Sequence, residues 1–197
     1  MKKIKRGIPM QKRNIIVLAL LMTGLFIRPA TAQDHSHHLQ HTHSEMAEPA
    51  DHVSTDFKEA FTVLVGTAID LKDALVESDQ TQAVHQSDEA KDQLESIGEH
   101  RLEGENHMAW MEIYSNLLEH LESMGDANDL DEIRAGFREM SGVLVDAVNR
   151  FGVDGVVYHQ YCPMEDGAWL SSEEQIANPY APETMPRCGS VIDRIAS

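Results

Sequence analysis

Two short stretches near the C-terminus carry the residues best suited to chemistry. One is His159, Tyr161, Cys162, Pro163 and Met164. The other is Met185, Pro186, Arg187, Cys188 and Gly189. Each places a Cys within three residues of a Met. Thiolate and thioether are soft donors, and soft donors select Cu(I) or Ag(I) over Zn(II) or Ca(II). Cys162, Met164, Met185 and Cys188 are therefore candidate ligands, with His159 as a fifth donor. Pro163 and Pro186 stiffen the clusters and reduce the ordering entropy lost on binding. A second chemistry competes: in an oxidising compartment, two cysteines pair as a disulfide. Both readings require the two sulfurs to meet, and only a fold can bring them together.

The compartment is legible at the other end of the chain. Residues 1–13 hold Lys2, Lys3, Lys5, Arg6, Lys12 and Arg13 and no acid. Ile15 to Ile27 is a nearly unbroken apolar run, too short to span the hydrocarbon of a bilayer as a helix. Ala30-Thr31-Ala32 supplies the small residues of a cleavage site. This order is that of a secretory signal peptide cut after Ala32, which leaves a periplasmic protein with no membrane insertion. Residues 33–52 then hold six of the 11 His, including His35, His37, His38, His41 and His43. With almost nothing apolar to bury, this segment is expected to be disordered. Its imidazoles would scavenge metal weakly, since neutral imidazole suits Cu(II), Ni(II) and Zn(II) alike.

Four amphipathic stretches stand between this segment and the tail. Phe57, Phe61, Leu64, Ala68, Leu71 and Leu75 step by four and three, as one face of a helix does. Ala83, Ser87, Ala90, Leu94 and Ile97 continue the pattern after Asp79 and Gln82, which resemble a capping box. Trp110, Ile113, Leu117, Leu121 and Met124 mark a third helix ending at Gly125, with Met108 and Met111 read as packing. Leu130, Ile133, Phe137, Met140, Leu144, Val148 and Phe151 mark a fourth, capped by Asp129 and closed by Gly152. Short connections favour an antiparallel up-down bundle. The expected fold is all-α: a four-helix bundle over 53–154 with an ordered, loop-rich extension over 155–197 packed on it. Within the extension, Ser171-x-x-Glu174 predicts a short helix ending before Asn178-Pro179. Trp169, Tyr180 and the pair Val191-Ile192 are expected to be buried.

Composition sets bounds on function. The chain has 197 residues, 33 acidic and 16 basic side chains and a formal charge of −17. Removing residues 1–32 takes away seven basic residues and no acidic one, so the remainder is more acidic still. Such a field favours cations and opposes nucleic acid, which needs clustered Lys and Arg. No G-x-S-x-G, H-E-x-x-H, phosphate loop or C-x-x-C-H occurs, so no enzyme, organic cofactor or c-type haem is expected.

The tail also carries a compound motif: Tyr158-x-x-x-Cys162-Pro163-Met164, Gly167-x-Trp169-Leu170-Ser171, Ile176-x-Asn178-Pro179-Tyr180 and Met185-x-x-Cys188-Gly189. Together with Leu71-Lys72-Asp73-Ala74-Leu75 and Phe137-x-x-Met140-Ser141 upstream, it resembles a periplasmic domain of unknown function. That family occurs alone or at the C-terminus of membrane-fusion adaptors in copper/silver-type efflux systems. Tyr-Cys-Pro-Met is also similar to a short heavy-metal-binding motif of copper pumps. The resemblance implies a helical bundle, a heavy-metal context and Cys162, Met164, Met185 and Cys188 as ligands. The expected function is Cu(I) or Ag(I) binding that buffers the ion or delivers it to an efflux adaptor or metallochaperone. The alternative is an interaction module closed by a Cys162–Cys188 disulfide.

Overall fold

A computed structural model describes residues 53–98 and 101–196. The expected signal peptide and the His-rich segment, with His35, His37, His38, His41 and His43, lie outside the described residues. The chain divides into two units, 1–45 and 46–197; only the second contains described residues.

Four helices form where the apolar stripes require them: α1 (Thr55–Val76), α2 (Gln80–Ile97), α3 (Gly104–Gly125) and α4 (Leu130–Phe151). Their ends follow local hydrogen-bond chemistry. Ser54 Oγ accepts from Phe57 N (3.2 Å), and Asp79 Oδ1 accepts from Gln82 N (3.0 Å). Asp129 Oδ1 accepts from Asp131 N and Glu132 N, both at 3.0 Å. Each satisfies a donor that the first helical turn leaves open. Gly98 and Gly152 close α2 and α4 at φ +70° and +73°, a region other residues avoid. The helices pack in chain order, and Phe57, Phe61, Trp110 and Phe151 interlock α1, α3 and α4 edge-to-face.

The expectation of an all-α fold is overturned by the tail. It forms a three-stranded antiparallel sheet, β1 (Val156–Cys162), β2 (Gly167–Ser171) and β3 (Ser190–Ala196), in the order β2-β1-β3. The fold is mixed α and β. β2 packs on α4 and α1 and continues the same core, with Trp169, Leu170 and Tyr180 buried beside the helical residues. The strands are rich in β-branched and aromatic residues, which fit a pleated surface. Asp166 (φ +48°) and Gly167 turn β1 into β2.

The short helix expected after Ser171 is also absent. Ser171 Oγ accepts from Glu173 N (3.1 Å), a local turn rather than a helix cap. Gln160 Nε2 donates to the carbonyls of Glu173 (2.8 Å), Glu174 (3.2 Å) and Gln175 (3.4 Å). Those oxygens would have served the helix, and Pro179 has no N–H to offer one of them. Two burial expectations fail as well. Ile192 is 55% exposed, because it occupies a bulge between Val191, paired with Gln160, and Asp193, paired with His159. Met108 is 70% exposed and is not packing.

Close approach fixes the β2 end of the sheet. A Cβ on Gly167 would stand 2.8 Å from Cδ2 and Cζ of Tyr180, whose ring is buried and whose hydroxyl donates to Ala168 O. Gly167→Ala is expected to cost about 1–3 kcal/mol by overpacking. Denaturant unfolding checks this; an unchanged midpoint would show that the ring can yield.

Candidate functional site

The two sulfur-bearing stretches meet through the sheet. Cys162 ends β1 opposite Gly167, and Cys188 lies in the turn that leads into β3. They are joined as a disulfide with Cα atoms 5.4 Å apart. Cys162 is fully buried, while Cys188 is half-buried. Of the two readings of the cysteines, the oxidised pairing is the one present.

Asn178 builds the turn around them. It is fully buried, and its Nδ2 donates to Met185 O (3.0 Å) and faces Cys162 Sγ at 3.9 Å. Its own N donates to Pro186 O (3.0 Å), and its Oδ1 accepts from Tyr180 N (3.0 Å). Met185 N donates to Ala181 O (2.8 Å), and Cys188 N donates to Met185 O (3.1 Å). A buried amide with its hydrogen bonds made fixes a loop as firmly as an apolar contact does.

The other candidates are dispersed. Met185 is half-buried in the same turn as Cys188. Met164 lies in the β1–β2 turn and is 72% exposed. His159 is half-buried in mid-strand, opposite Leu170 on one side and Asp193 on the other. Among the described residues, no group of three or more His, Cys, Asp and Glu side chains is placed to hold a metal ion.

Two arginines one turn apart on α4 anchor the loops that carry the methionines. Arg138 reaches Glu165, the neighbour of Met164, at 3.2 Å and covers the Tyr180 ring at 4.8 Å. Arg134 reaches Glu183, two residues before Met185, at 3.5 Å, and also donates to Pro179 O (3.1 Å) and Ser78 Oγ (3.0 Å). Asn178, Gln160, Arg134 and Arg138 were not singled out from the sequence as positioning residues. Asn178 stood within the compound motif of the tail; for the other three the signal was polar side chains beside apolar residues, which is equally the signal of a solvated surface.

Burial lowers the pKa of His159 from its ordinary 6.5, against the opposing pull of Asp193 and Asp146. The folded pKa thus lies below the unfolded one, and between them the unfolded chain binds more protons. Stability contributed by His159 is present above pH 6.5 and is lost as pH falls through the folded value. Melting curves across about pH 5 to 7.5 are expected to show this rise with pH, and His159→Gln to flatten it. An unaltered slope in the variant would assign the dependence elsewhere.

The arrangement defines a class: a helical bundle whose apolar core extends into a disulfide-closed sheet. Residues 65–155 match the family described as Protein of unknown function (DUF3347). The match supports an uncharacterised family for the stretch from mid-α1 to the end of the bundle, and it stops before β1 and both cysteines. No curated protein and no solved structure matches the chain.

Proposed function

We propose that the protein is an exported carrier for a soft monovalent ion, Cu(I) or Ag(I), loaded when Cys162 and Cys188 are reduced. It buffers the ion in the periplasm or passes it to a heavy-metal efflux adaptor or metallochaperone, and it catalyses no reaction. The observation that carries this reading is the convergence of the two thiol-bearing stretches, with Met185 closing the turn that holds Cys188. Reduction there releases two adjacent sulfurs in a turn that also carries Met185, and thiolate with thioether is the soft donor set that Cu(I) prefers without strict geometry. The acidic charge, the leader and the tail's likeness to heavy-metal motifs support the same reading.

A competition titration of reduced protein lacking residues 33–52 against a Cu(I) chelator tests it. Saturable uptake is expected, and its loss in the Cys162→Ser/Cys188→Ser variant. Equal uptake by that variant would remove the site from the tail.

The complete burial of Cys162, with no preformed donor group among the described residues, favours a second reading: an interaction module permanently closed by its disulfide. Protein exported in copper-supplemented cells separates the two. A metal-free, fully oxidised pair that takes up no Cu(I) after reduction would select the closed module.

A further inference from the structure

We propose that Cys188 is the sulfur at which a small carboxylate-bearing thiol opens the disulfide, docked in the cleft beside it. This rests on the reading that the cysteine pair is loaded only when reduced. The two sulfurs differ in access. Cys162 is fully buried at the end of β1, while Cys188 is half-buried. A shallow cleft of about 340 Å³ is lined by Gln175, Ile176 and Arg187, a size that suits a small ligand. Cys188 follows one of its walls in the chain. Arg187 precedes it with an exposed side chain, and Ile176 Cγ2 lies 3.3 Å from where a Cβ on Gly189 would stand. The Arg187 guanidinium supplies the charge that holds a carboxylate.

The exchange balances as follows. The incoming thiolate attacks Cys188 Sγ, a bond forms between the two sulfurs, and the Cys162–Cys188 bond breaks. The electron pair leaves on Cys162, which takes the proton the incoming thiol gave up. A thiolate left in an apolar core is costly. Here Asn178 Nδ2–H faces the departing sulfur, so attack on Cys188 expels the sulfur that has a donor waiting. A second thiol then attacks the small-molecule sulfur of the mixed disulfide and frees Cys188. Two small thiols are oxidised to one disulfide, and both cysteines are reduced.

Oxidised full-length protein, freed of its leader, is mixed with glutathione, acid-quenched, alkylated and mapped by peptide mass. Glutathione is expected on Cys188 and the alkylating group on Cys162. Glutathione on Cys162, or on neither while a dithiol protein still reduces the bond, overturns the proposal. Arg187→Glu is expected to slow exchange with glutathione about two- to fivefold, the scale of one exposed ion pair, and to leave exchange with uncharged 2-mercaptoethanol unchanged. Equal slowing of both thiols, or of neither, overturns the docking role of the cleft. The Cu(I) titration of chemically reduced protein is independent of where the thiol attacks. Absent metal uptake with the adduct on Cys188 therefore counts against the carrier reading alone.

Discussion

Reduced protein is expected to unfold about 3–4 kcal/mol more easily than oxidised protein, from the chain entropy that the cross-link removes from the unfolded state. The bond closes a loop with a sequence separation of 26. That loop contains β2, the Gln160-bound turn and the Asn178-bound turn. Cutting the bond leaves their hydrogen bonds intact, and Trp169 and Tyr180 remain buried against the helices. The reduced protein is therefore expected to stay folded, as the proposed loading with a metal ion requires, but to melt about 10 °C lower. Reduction gives a cleaner comparison than Cys162→Ala/Cys188→Ala, because removing a buried sulfur adds a cavity cost. Calorimetry with and without reductant measures the difference. A loss below about 1 kcal/mol would mean that the Asn178 contacts alone hold the loop closed.

Gln160→Leu is expected to destabilise by about 2–5 kcal/mol, several times an average hydrogen bond. Gln160 is fully buried in β1 and joins two partners that have no substitute. Its Oε1 accepts from Trp169 Nε1 at 2.7 Å, and its Nε2 serves the carbonyls of residues 173–175. Leucine fills the volume but leaves the indole N–H buried without an acceptor. It also frees the 173–175 backbone, which then seeks water. Denaturant unfolding should show the loss of stability. Limited proteolysis should show new cleavage at 172–177, next to the cleft beside Cys188. Destabilisation without that cleavage would mean that the turn is held by Ser171 and Asn178 instead.

The helices were legible because their apolar positions repeat at 3.6 residues for five or six turns, and Asp79, Asp129, Gly98 and Gly152 mark ends by chemistry local to the chain. The sheet was not, because its strands are short and their signals conflict. His159 and Gln160 interrupt the alternation of β1, and the bulge at Ile192 breaks the period of β3. Ser171-x-x-Glu174 has the form of a helix cap, but a buried glutamine eleven residues earlier in the chain takes the carbonyls a helix would use. The cysteines and methionines were visible as types, and the structure pairs the cysteines. The roles of Arg134 and Arg138 depend on contacts across tens of residues, for which no local pattern exists, and Asn178 acts on atoms up to 16 residues away. Met164 shows the converse: the spacing Cys-Pro-Met says nothing about which way a turn presents its third residue.

The hold of Arg134 and Arg138 on the tail bears on how this segment can be inherited or engineered. The stretch from Val156 onward is not a portable cassette. Its turns are tied to guanidinium groups on α4, and its middle strand pairs with one that lies on α1 and α4. Fused to an unrelated scaffold, the same sequence would keep its thiols and lose the shape that brings them together. A transplant that works must carry the first and fourth helices with it.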